Sequence, residues 1–363
     1  MTTSNRTWWL GLSACGLLLT AAGVDLALAQ DGGDGEEKKV LEVGKWYPTL
    51  EGGLQLTQSS YSDNWSGGDK GSIVWTAIVN GTAENQIKPK INWNNTLKLA
   101  YGQTHQQSVG PNGERAWDRP EKSTDLIDYE TIFRFTLGGV VDPFLAGRFE
   151  SQFQDATDPA GRTLAINPMK FKETAGVAKV FLDEEDLNLI TRLGFSFRQN
   201  LRKQFVVQPT SENPFPTDTT TDSEFTNDGG LEFVLDYKNK ILEDKVTYTS
   251  KFTAFQPVFY SASDDFDMLL DASNFATSGI DPDIKDFTTV ADLDWENIFS
   301  TQITKIVSVN LYLRWLYDKY DNSVVPVFNE DGTVKNASDL RVATRKAGQF
   351  KQTMAIGFTY RFL

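Results

Sequence analysis

Apolar and polar residues alternate along most of this chain with a period of two, most plainly at its end. Met354, Ile356, Phe358, Tyr360 and Phe362 interleave with Ala355, Gly357, Thr359 and Arg361, the pattern of a strand with one apolar face. The same rhythm runs through Leu50, Leu54 and Leu56, then Ile73, Trp75, Ala77 and Val79, then Ile91, Trp93, Leu97, Leu99 and Tyr101. It returns in Ile127 to Leu137, Phe144 to Phe153, Leu187 to Phe197, Leu231 to Tyr237, Tyr248 to Ala254, Phe287 to Phe299 and Val307 to Trp315. Counting a weakly patterned stretch from Lys170 to Leu182, these make about twelve strands; ten or fourteen are the alternatives.

Short connections (84–89, 138–143, 183–186, and turns near Asn239 and Thr301) alternate with long ones (62–69, 104–124, 155–168, 202–228, 261–286 and 319–347). A soluble sandwich has no reason to sort its connections by side. A transmembrane antiparallel up-and-down β-barrel does, with short periplasmic turns and long extracellular loops. Trp46, Tyr47, Tyr101, Tyr237, Tyr317 and Phe362 fall near strand ends, where membrane interfaces favour aromatic rings. The expected class is therefore an all-β membrane barrel.

The N-terminus fits an exported chain. Arg6 precedes an apolar run from Trp8 to Ala29, and Ala27-Leu28-Ala29 offers small residues before a cut. The expected organisation is a signal peptide at 1–29, a flexible periplasmic leader at 30–45 and an outer-membrane barrel at 46–363. A retained membrane anchor and lipidation at Cys15 are the less favoured readings of the first segment. Cys15 is the only cysteine, so cleavage would leave no thiol chemistry or disulfides. Net charge is −14, from 35 Lys and Arg against 49 Asp and Glu. That excess argues against a nucleic-acid partner, which needs clustered cations.

Met354 to Leu363 resembles the aromatic-terminated closing strand of bacterial outer-membrane barrels, although here Leu363 follows the aromatic. The segment from Trp46 through Asn64-Trp65-Ser66-Gly67-Gly68 to Ser72, with WNNTLKLAYG at 93–102, resembles an uncharacterised outer-membrane barrel family common in Bacteroidota. The resemblance implies fold and location and carries over no catalytic residues.

Residues opposite the apolar face would line the lumen. Arg134, Arg148, Arg192, Arg198, Asp292, Asp294, Glu296, Arg314 and Arg361 are the main candidates. Their signs nearly balance, which favours a cross-linked, narrow or filled lumen over an open one. Asp292, Asp294 and Glu296 share one strand face at steps of about 6.8 Å. They could form a cation-attracting wall or a metal ladder, but pairing with inward arginines is the favoured use.

His105 is the only histidine. Ser108 lies three positions on, which sends the two side chains to opposite faces and disfavours a hydrolytic pair. The stretch 261–286 carries Asp264, Asp265 and Asp267 among seven aspartates. It lacks the spacing of a calcium loop and reads as a solvated acidic surface. Trp65 is a candidate contact for a carbohydrate or a partner.

No cofactor or catalytic site is expected. The residues imply a barrel for passive transport through a narrow pore, or one with a structural or assembly role. A surface-docking barrel using the acidic and Trp65 loops is the alternative, and an outer-membrane hydrolase comes third. Outer-membrane lipid, the barrel-assembly machinery and other outer-membrane proteins are the expected partners.

Overall fold

The computed structural model describes residues 41–59, 71–109, 114–184, 186–207, 209, 212–345 and 347–362. The signal-peptide segment, Cys15 and Trp65 lie outside them. Twelve long strands appear in chain order: β1 Trp46–Ser59, β2 Ser72–Lys88, β3 Ile91–Val109, β4 Glu121–Phe135, β5 Asp142–Ser151 and β6 Met169–Asp183, followed by β7 Leu187–Phe205, β8 Thr221–Ile241, β9 Val246–Tyr260, β10 Asp292–Gln302, β11 Val307–Tyr317 and β12 Gln349–Arg361.

Each strand pairs antiparallel with its sequence neighbours, and β12 returns to β1 through Glu51↔Arg361 to Gln55↔Gly357. The sheet is therefore a closed barrel with no free edge on either terminal strand over that register. Phe362 adds a backbone bond by donating its N–H to Leu50 O at 2.8 Å.

Period-two alternation divides the side chains as the sequence implies. Leu193, Phe195, Leu231, Trp295, Met354 and Ile356 stand exposed on the outer surface. Ser196, Glu232, Glu296, Ile298 and Ala355, on the opposite face of the same strands, are buried inside. An outer face this apolar is unfavourable in water and favourable against hydrocarbon. The barrel is of the transmembrane type, and no helix among the described residues is long and apolar enough to cross a membrane.

Several strands run further than the pattern suggests. β2 continues through Glu84–Lys88, where a turn is expected, because Asn92 of β3 donates to both Glu84 (2.8 Å) and Gln86 (3.3 Å) across the pair. Similarly, β7 and β8 take up both ends of the expected 202–228 loop, leaving 206–220 between them, and stay in register from Leu187↔Asn239 to Phe205↔Thr221.

The larger departure is at the long-loop mouth. The stretch after β9 forms three helices, α1 Ser263–Asp271, α2 Phe275–Ser278 and α3 Ile284–Phe287. The stretch after β11 contributes α4 Ala337–Ala343. Together they make a cap with its own apolar core, in which Phe266, Leu269, Ile284, Leu340 and Ala343 are completely buried with Tyr260 and Tyr320. Phe287, expected to open a strand, belongs to α3; the strand begins five residues later at Asp292.

Candidate site in the capped lumen

The lumen is packed. Phe144, Val234, Ile298 and Tyr312 point inward yet are at most 4% exposed, and Asp128, Glu232 and Glu296 are at most 7% exposed. Water filling a channel would touch these side chains, so their inaccessibility means they contact one another instead.

Charges in this interior are engaged with one another, diagonally along the sheet and across the lumen as well as in register. Arg148 of β5 forks onto Asp128 of β4 at 2.7 and 2.9 Å and also reaches Glu150 at 3.2 Å. Arg192 of β7 bridges Glu130 at 3.4 Å and Asp236 at 3.2 Å. Lys172 pairs with Glu232. Arg314 forks onto Asp294 at 2.7 and 2.8 Å and lies 3.6 Å from Glu296, which also accepts a hydrogen bond from Tyr312 at 3.0 Å. Arg198 forks onto Asp228 at 2.6 and 2.8 Å, donates to Asp292 at 2.8 Å and stacks 3.7 Å over Phe255. Planar guanidinium groups suit these double contacts because each presents parallel donors to a carboxylate.

The three acids of β10 are thus all in contact with arginines, Asp292 with Arg198 and the other two with Arg314. Among the described residues no group of three or more His, Cys, Asp or Glu side chains is arranged to hold a metal. Arg134 is half-buried, and its Nε is a buried atom with no hydrogen-bond partner. Arg361 enters only through its backbone pairing with Glu51; its side chain lies outside what is described.

At the long-loop mouth, the chain leaving β11 dips into the barrel. Asn322 donates from its side chain to Asp228 (3.1 Å) and to Thr288 O (3.2 Å). Its backbone oxygen accepts from Thr226 (2.9 Å) and from the Tyr260 hydroxyl (2.8 Å). Asp318 and Asp321 beside it are both held by Arg345, the latter at 3.4 Å. Burial alone would raise the Asp321 carboxyl; Lys170, Arg345 and the Ser323 hydroxyl instead hold it below the ordinary carboxylate range. Asp318 goes the other way, pushed up by burial and by Asp321 despite Arg345.

Between this segment and the barrel wall lies a cavity of about 210 Å³. Its wall carries both signs, Arg148, Lys170, Lys172 and Arg198 with Glu150, Asp228 and Asp292, and Asp318 and Asp321 face it from the cap segment.

The remaining candidates fall elsewhere. His105 lies on β3 with its ring centroid 5.0 Å from that of Trp117, while Ser108 donates to Ala116 O at 3.4 Å. The two do not meet each other. Asp264, Asp265 and Asp267 sit on α1 and not on an irregular loop, because the apolar residues between and beyond them build the cap core; Asp267 pairs with Lys285. Sequence reasoning missed the cap itself and the part played by Asn322. Phe266, Leu269 and Leu270 at helical spacing were the available signal.

Comparison with curated protein sequences finds no match. Residues 56–156 match a family model described as "Protein of unknown function (DUF3078)". Similar solved structures include the COG4313 outer membrane channel from Pseudomonas putida F1, at 10% identity and TM-score 0.35 over 91% of this chain and 98% of that one. The beta domain of the Bordetella autotransporter BrkA aligns at 9% identity and TM-score 0.31, over 87% and 98%. The NanC porin aligns at 8% identity and TM-score 0.29, over 86% and 97%. At such scores the likeness bears no weight, and barrel closure rests on this chain's own strand pairing.

Proposed function

We propose that the chain is an integral outer-membrane barrel whose lumen is closed at rest, forming a narrow, capped route for small polar solutes. The observation that carries this reading is the burial of inward side chains from Ile298 to Asp228, with the partly accessible charges between them held in ion pairs. An open pore needs a continuous hydrated path and a biased lining charge. Here anions and cations are mutually engaged, and the long-loop mouth is covered by a cap with its own core.

Under this reading the long connections face outward and the short turns face the periplasm. The cap is the part free to move, since its apolar core meets the barrel only at Tyr260, at the end of β9, and its other links are polar contacts around Asn322, Ser261 and Thr289. Outer-membrane lipid is its solvent, and the barrel-assembly machinery would insert it. Planar-bilayer recording tests the proposal: the intact protein should give no steady current, and loosening the cap should produce small, discrete openings.

A further inference from the structure

The seam that closes the barrel is zipped over only part of its height. β1 pairs with β2 from Trp46↔Asn85 to Ser59↔Ser72, and β12 pairs with β11 from Val307↔Phe358 to Leu316↔Gln349. With each other the two strands pair only from Glu51↔Arg361 to Gln55↔Gly357. Toward the long loops, beyond that ladder, their facing edges have no partner strand among the described residues. Backbone groups of β12 point to alternate sides: Phe362 N–H bonds Leu50 O of β1, whereas Thr359 N–H bonds Ile306 O beside β11. Phe350, Gln352 and Met354 therefore direct their N–H and C=O groups into the gap, and Gln58 does so from β1.

Exposure marks the same place. Leu56, Thr57 and Gln58 on β1, and Gln352, Thr353 and Met354 on β12, are exposed in succession. Strand alternation turns the middle residue of each run inward, yet both threonines are reachable. The recess ends at Ala355 and Gly357, which are buried, so it leaves the closed lumen as it is. Its upper end lies at the aromatic girdle, because Leu56 is opposite Trp75 and Phe350 is opposite Trp315. Met354 is about 13 Å further along the strand, toward the middle of the bilayer.

Unpaired backbone at this depth is costly, and hydrocarbon tails offer it no partner. We propose that the recess binds an outer-leaflet amphiphile whose acyl chain carries a hydrogen-bond donor and an acceptor near its head, as an amide linkage or a hydroxylated chain does. Those groups meet the free N–H and C=O groups of Gln352 and Met354 and the hydroxyls of Thr57 and Thr353. The chain then lies along Met354, Ile356 and Leu54, all exposed on the outer face. An ester-linked lipid offers acceptors alone and leaves the carbonyls unpaired. An extended peptide would satisfy the same edges, but it must first enter hydrocarbon, where the amphiphile already resides.

Native mass spectrometry of the full chain released from phosphatidylcholine nanodiscs tests this, with a ceramide or a diacylglycerol of matched chains added at equal mole fraction. Ceramide should be retained at one site, and diacylglycerol at least about tenfold less, the equivalent of one or two lost hydrogen bonds. Thr353→Trp, which fills the recess, should abolish the preference. Independently of that variant, Thr353→Cys should react with a lipid-borne maleimide above the background of the parent chain, while Ala355→Cys should not. Equal retention of the two lipids, no retained lipid, an unchanged preference in folded Thr353→Trp, or an unreactive Thr353→Cys overturns the proposal. A peptide co-purifying in place of lipid overturns it in favour of strand addition. A conducting wild-type barrel that still prefers ceramide would overturn only the closed-lumen reading.

Discussion

Asn322 donates to Asp228 at 3.1 Å, onto the carboxylate that Arg198 grips at 2.6 and 2.8 Å. One buried acid therefore joins the cap segment to the barrel wall. Asp228 is completely buried, so each of these contacts replaces water that cannot reach it.

Replacing Asn322 with Ala removes two side-chain donors, leaves Asp228 and Thr288 O short of a partner and should cost about 1–3 kcal/mol of cap docking. Amide exchange in Ala337–Ala343 should quicken while exchange in β7 and β8 stays slow. Equal protection of α4 in both proteins would show that Asn322 does not hold the cap.

Phe266 is completely buried among Tyr260, Tyr320 and Leu340 in a core separate from the lumen. Phe266→Ala should destabilise the cap by about 3–5 kcal/mol and leave the barrel closed on itself. Limited proteolysis should cut within 261–291 or 318–347, with the barrel fragment still resisting heat in its folded gel mobility. Loss of barrel folding would mean that cap and barrel form one cooperative unit.

Arg198 contacts both Asp228 and Asp292. Truncation to Ala strands two acids inside the barrel and should cost about 3–5 kcal/mol, whereas Asp292→Asn, which leaves the fork to Asp228 intact, should cost much less. Thermal unfolding in detergent orders the two variants. Equal losses would mean that the fork to Asp228 is not the stronger contact.

The two cap acids predict opposite pH arms. Asp321 is held below its ordinary range, so its stabilising contribution is present above the unfolded carboxylate value of about 3.9 and is lost as pH falls through its lower folded value. Asp318 is raised, so its contribution is full below about 3.9 and declines as pH rises through its higher folded value. Labelling of a cysteine placed at the buried position 343 should report cap opening on both sides. Asp321→Asn should remove the arm that appears as pH falls and Asp318→Asn the arm that appears as pH rises. Unchanged profiles in both would contradict the assignment.

Strand count and facing were legible because a barrel wall makes every second residue meet lipid, and Leu193, Phe195 and Trp295 record that directly. Engagement of Asp292, Asp294 and Glu296 with arginines was expected on charge balance, but the partners were not. Arg198 lies far from Asp292 in sequence, and only barrel closure makes them neighbours. The cap was hidden by composition. Seven aspartates in 261–286 suggested a solvated surface, yet Phe266, Leu269 and Ile284 need only a few buried positions to fold it. Asn322 carried no signal at all, since its importance comes from where the chain re-enters the barrel.

Planar-bilayer recording of the purified full chain tests the closed lumen most directly. Wild-type protein should leave the membrane without steady current, while a cap-loosening change such as Phe266→Ala should give discrete small openings. A steady, ohmic current from the wild-type barrel would contradict the packed interior.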